Sequence, residues 1–104
     1  MLAAEDGNKA LILLDLNYPE FQKQLVDSDL NEVKKIFKAF KKLHKMTWAQ
    51  LFVDHGLNWE EIKGASGKYT IRVSLQYRAV VLRDGKFMRC QLLVTNHDSA
   101  YQAR

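Results

Sequence analysis

Polar and apolar residues begin to alternate with a period of two just after Gly64, and this alternation restricts the fold more than any other feature of the chain. Tyr69, Ile71, Val73 and Leu75 are separated by Lys68, Thr70, Arg72 and Ser74, the pattern of a strand with one buried and one open face. Residues 77–83 and 86–96 read as two further strands, and Asp84-Gly85 between them is a strong hairpin signal. A sheet with one apolar face must be covered by something, so the preceding residues should supply a helical layer.

They do so with a period near 3.6. Leu30, Val33, Ile36, Phe37, Phe40 and Leu43 form one stripe, and Lys34, Lys35, Lys38, Lys41, Lys42 and Lys45 fill the rest of the surface. Asp29 with Glu32 has the spacing of a capping box at its start. A shorter helix is expected from Pro19 to about Val26, with proline at an early position where its missing N–H costs nothing. A third is expected over 47–55: Thr47 and Gln50 have capping-box spacing, Gly56 is a suitable stop, and Trp48, Leu51 and Phe52 face inward. Residues 9–15, KALILLD, read as a short buried strand. The expectation is one α+β domain over 1–104, with N-terminal helices packed on a twisted antiparallel sheet.

A turn confined to Asp84-Gly85 pairs Arg83 with Lys86, Val81 with Met88, Ala79 with Cys90 and Tyr77 with Leu92 on one face. Leu82 with Phe87, Val80 with Arg89 and Arg78 with Gln91 then share the other. A tight turn around Ser74–Gln76 places Ile71 beside Ala79 on the apolar face, and Thr70 beside Val80 and Arg72 beside Arg78 on the opposite one. Two facing arginines repel. Either both are solvated, or paired with carboxylates from the loop at 58–61, or they form a bidentate clamp for an anion such as phosphate. Thr70, Gln91, Thr95 and His97 share that face, and Lys63 and Lys68 lie close by.

The last strand runs into His97, with Tyr101 four residues on. A helical turn there would put both on one side. An imidazole near arginines suits proton donation to a leaving alkoxide, and a tyrosine suits base stacking. The structural alternative is that His97 caps backbone groups and Tyr101 covers the core.

The net charge of +4 makes an anionic partner plausible. One cysteine, Cys90, permits no intrachain disulfide and fits a reducing compartment. No apolar run approaches the ~20 residues of a membrane helix, and the N-terminus lacks the basic start of a signal peptide. A cytoplasmic location is expected. His44, His55 and His97 lack metal-ligand spacing, and no phosphate-binding glycine motif or nucleophile-elbow motif is present.

The segment GKYTIRVSLQYRAVV, a hairpin, and LLVTNHDSAY together resemble the C-terminal half of the RelE/ParE toxin superfamily, over residues 57–101. The resemblance implies a toxin of a type II toxin–antitoxin system that cleaves mRNA on the ribosome without metal or cofactor, and a cognate antitoxin that blocks the site. It implies attack of a ribose 2′-hydroxyl on the adjacent phosphate, with basic residues stabilising the extra negative charge. Carried over by position, Arg72 and Arg78 hold the scissile phosphate, His97 is the general acid and Tyr101 the closing tyrosine. Glu60, Glu61, Lys63 and Lys68 are all available as the base, with Glu61 or Lys63 favoured, and Lys63, Lys68, Arg89 and Gln91 are RNA contacts. The alternatives within the same fold are a ParE-like inhibitor of gyrase and an inactive binding module.

Overall fold

A computed structural model of the chain describes residues 7–95. In order these form β1 (Leu13–Asp15), α1 (Pro19–Asp27), α2 (Leu30–Leu43), α3 (Trp48–Phe52), β2 (Glu60–Glu61), β3 (Lys68–Arg72), β4 (Tyr77–Asp84) and β5 (Phe87–Thr95). The architecture is α+β. The strands make one five-stranded sheet in the order β1-β5-β4-β3-β2.

The expected helices are present, with local departures. In α2 the stripe buries Ile36, Phe40 and Leu43, while Leu30 and Phe37 remain exposed. Asp29 occupies the N-cap but makes no side-chain cap bond. Glu32 is drawn instead to the sheet, where it accepts a 2.6 Å bond from the Ser74 hydroxyl. The Thr47–Gln50 capping box does form, in both directions. It starts a helix that ends at Phe52, well before Gly56, because Asp54 turns the chain by accepting from the Leu57 amide. Trp48 and Leu51 are buried there, and Phe52 is left partly exposed.

One core fills the space between the helices and the sheet. Phe21, Ile36, Phe40, Leu43, Trp48 and Leu51 meet Ile71, Ala79, Val81, Met88, Cys90 and Leu93. Full burial of the Val, Leu, Ile, Phe and Met side chains among them contributes roughly 1.5–3 kcal/mol each. Gln24 of α1 reaches β5 beyond the end of β1, donating to the Leu93 carbonyl and accepting from its amide. A side-chain amide there does the work of a neighbouring strand.

Two expectations about the sheet are corrected. The sheet is mixed, because β1 runs parallel to β5, pairing Leu13 with Phe87 and Asp15 with Arg89. The parallel pairing follows from the helices that intervene between the two strands. The hairpin register is also displaced by two residues. Asp84 pairs with Phe87, Arg83 with Met88 and Val81 with Cys90, so the turn residues are Gly85 and Lys86 rather than Asp84 and Gly85. Gly85 has φ +61 at the first central position, the place that a type II′ turn reserves for glycine.

A bulge then shifts the register between Val81 and Val80, leaving Gln91 as the extra residue and pairing Val80 with Leu92 and Ala79 with Leu93. The bulge moves β5 by one side-chain alternation. Leu93, not Leu92, therefore joins the main core. The β3–β4 register is as expected: Thr70 opposite Val80, Ile71 opposite Ala79, Arg72 opposite Arg78. Its turn is held by Ser74, whose hydroxyl accepts from the Gln76 and Tyr77 amides while donating to Glu32.

Candidate nucleic-acid interface

Arg72 and Arg78 face each other on the side of the sheet away from the helices, but their surroundings differ. Arg78 is buried, at 3% exposure. Its guanidinium donates to the Thr70 hydroxyl from two nitrogens, at 3.1 and 2.8 Å, and to the Asn58 carbonyl at 2.8 Å. It also pairs with the Glu60 carboxylate at 3.1 Å. Arg72 is exposed and forms no ion pair among the described residues.

Segment 57–62 builds this enclosure by running along the edge of β3. The Arg72 amide donates to the Leu57 carbonyl, Glu60 pairs with Thr70, Glu61 with Tyr69, and the Ile62 amide donates to the Lys68 carbonyl. Asn58 bends the chain with φ +48, a conformation that asparagine tolerates better than most residues. Beside it Trp59 stacks on Tyr69 at 4.2 Å. The alternation in β2 sends Glu60 toward the arginines, whereas Glu61 shares the register position of Tyr69. The carboxylate at Arg78 is thus not the favoured Glu61 but Glu60, one of the loop carboxylates expected near the arginines. Its position opposite Thr70 was the signal available.

The face expected to be open and cationic is partly covered. Ile62, Val80 and Val94 form a second small core, with Ala65 and Leu92 packed against it. Thr70 is fully buried. Arg89 lies between Asp15 at 2.6 Å and Asp84 at 3.0 Å. Its bond to Asp15 raises the guanidinium pKa and holds the Asp15 carboxyl below the usual carboxylate range, with the Asn17 amide adding to the latter effect. Gln91 occupies the bulge and is half-buried, as is Lys68, and Lys63 is exposed in the loop after β2. His97 and Tyr101 lie outside the described residues.

A cluster of positive charge lies between α2 and the backbone at Arg72. A shallow groove of about 360 Å³ is lined by Lys35, Lys38 and Lys42 of α2, by Arg72, and by residues around Leu57 and Ser74. The three lysines share one helix face because they are spaced by three and four. Lys42 is anchored by Asp54 at 2.8 Å, which keeps the Asp54 carboxyl below its ordinary value, and Lys35 lies 3.6 Å from Glu32. Lys38 makes no ion pair among the described residues. These lysines were visible in the sequence as one side of an amphipathic helix, but their convergence on Arg72 was not.

No group of three or more His, Cys, Asp or Glu among the described residues is arranged to hold a metal, and none of the described helices is long and apolar enough to cross a membrane. The arrangement can attract and hold an anion at Arg72, next to a carboxylate fixed by Arg78.

No protein-family profile and no curated protein sequence matches the chain. Among solved structures, the chain is similar to one in the crystal structure of the E. coli DinJ-YafQ complex, with 13% identity, coverage of 81% of this chain and 92% of that one, and a TM-score of 0.49.

Proposed function

We propose that the chain is a RelE/ParE-type toxin that arrests translation by cleaving mRNA on the ribosome and is held inactive by a cognate antitoxin. The observation that carries this reading is the pairing of Arg72 with Arg78 on one sheet face, with the Glu60 carboxylate ion-paired to Arg78. Arg72, the exposed member, contacts the scissile phosphate. Arg78 acts through its neighbours, fixing Glu60 and the backbone at Asn58. Glu60 takes the place of Glu61 as base and accepts the 2′-hydroxyl proton as that oxygen attacks phosphorus. The bond to the 5′ oxygen breaks, and His97 protonates the leaving oxygen. Tyr101 stacks on a base beside it, and Lys63, Lys68 and Gln91 contact the strand. Arg89 is neutralised by two carboxylates and contributes mainly to the sheet.

A second reading is a binding module that retains the fold and an antitoxin partner but does not cleave. The engagement of Arg78 by Thr70, Asn58 and Glu60 favours it.

Induced expression of the chain, with separate readouts of protein synthesis, mRNA 5′ ends and DNA supercoiling, tests the proposal. New mRNA ends and a fall in protein synthesis, both lost in Arg72→Ala, are expected. Arrested synthesis without new ends supports the binding module. Intact synthesis with accumulating gyrase–DNA complexes refutes both in favour of gyrase inhibition.

A further inference from the structure

We infer that the groove between α2 and the β3–β4 turn binds the phosphodiester backbone of an RNA strand, independently of base sequence. The inference deepens the proposed function and rests on it for the choice of RNA as the anion.

The described residues lining the groove include Lys35, Lys38, Lys42 and Arg72 and no Asp or Glu. Glu32 and Asp54, the nearest acids paired to these cations, are held back: Glu32 is buried and accepts from Ser74, and Asp54 accepts from the Leu57 amide. Those two acids offset part of the charge of Lys35 and Lys42. Lys38 and Arg72 remain without an ion pair among the described residues. A groove with this imbalance favours a polyanion over a zwitterionic or neutral ligand.

The chemistry of the lining narrows the ligand further. Among the described residues it holds no aromatic ring on which a base could stack; the rest of that lining is small or aliphatic, from Ala39, Gly56, Leu57, Val73, Ser74 and Leu75. Contacts of this type read phosphates and not bases. Lys35 and Lys42 are separated by seven residues of α2, ~10 Å along the helix axis, about the rise of three nucleotides in a stacked strand. The groove is also rigidly built. Ser74 ties the β3–β4 turn to Glu32 of α2, and the Arg72 amide is bonded to the Leu57 carbonyl at 2.7 Å. The Arg72 backbone is thus held at the edge of the groove, and its side chain, on the face away from the helices, takes up a strand that has passed the lysines of α2.

The test uses the full chain and a fluorescein-labelled 20-nucleotide polyuridylate, with binding followed by anisotropy over a range of salt. The groove variant Lys35→Gln/Lys38→Gln is compared with Lys9→Gln/Lys86→Gln, which removes the same charge from exposed positions away from the groove. The groove variant is expected to lower the salt slope by about 1.4, at ~0.7 per phosphate contact on a single strand, and to weaken binding at least tenfold at low salt. The control pair is expected to change affinity less than threefold. An equal mixed-sequence oligonucleotide should bind within threefold of polyuridylate. Equal effects of the two pairs, or binding of a polyglutamate peptide and not RNA, would overturn the inference. These readouts are independent of cleavage: groove-dependent RNA binding without arrest of translation refutes the proposed function alone, while arrest with a silent groove refutes the inference alone.

Discussion

Replacing Arg78 with methionine separates the two arginines into one that holds the fold and one that faces a ligand. The Arg78 guanidinium donates to the fully buried Thr70 hydroxyl and to the Asn58 carbonyl, and among the described residues it also pairs with Glu60, which is half-exposed. Methionine fills most of the stem volume, so the loss is chiefly polar. Hydrogen bonds from a charged donor contribute ~1.5–3 kcal/mol each, and a buried hydroxyl left without its donor adds to the cost. Glu60 returns to water, so its ion pair counts for less than ~1 kcal/mol. Arg78→Met should therefore destabilise by at least ~3 kcal/mol, lowering the melting temperature by roughly 12 °C or more for a domain of this size. Arg72→Met, at an exposed position without an ion pair among the described residues, should stay within ~0.5 kcal/mol of the wild type. Glu60→Gln should cost less than ~1 kcal/mol. Urea unfolding, with the midpoint and slope fitted separately, measures all three. A stable Arg78→Met variant, or an Arg72→Met variant weakened to the same degree, would refute the assignment of Arg78 to the fold.

Three shorter predictions follow from local geometry. The Asp15 carboxyl is lowered by its bond to Arg89, so its stabilisation is complete above the unfolded value, about 3.9, and is lost as pH falls through the lower folded value. Asp15→Asn should flatten the acid limb of a stability–pH curve below about pH 4, and an unchanged limb would count against the bond. The Cys90 thiol is buried and pushed up to about 12, so a thiol reagent should leave it unmodified in the native protein at pH 8 and label it fully in urea; rapid native labelling would contradict the burial. Gly85→Ala forces a side chain into φ +61 at the hairpin and should cost ~1–2 kcal/mol, whereas Gly56→Ala, which has no positive φ, should cost less in the same melt.

Much of the fold was legible from local periodicity. The α2 stripe, the Thr47 capping box and the Arg72–Arg78 pairing each depend on residues near one another in sequence. The hairpin register was not, for a specific reason. A slip of two residues preserves the side-chain alternation, so Val81, Met88 and Cys90 sort to the same face in either register. The position of the turn, with Gly85 first, was needed to choose between them. The bulge at Gln91 has no pattern of its own in the chain, because a single inserted residue is visible only against the strand it faces.

The chain alone determined that two arginines would stand on one side of a strand pair, since alternation assigns faces without reference to anything else. The tertiary structure decided what each arginine is for. Burial of Arg78 depends on Asn58 and Glu60 being folded back over it, and the exposed cationic groove depends on Ser74 docking on Glu32 of α2. Those contacts join parts of the chain that are distant in sequence, and periodicity carries no information about what packs over a face.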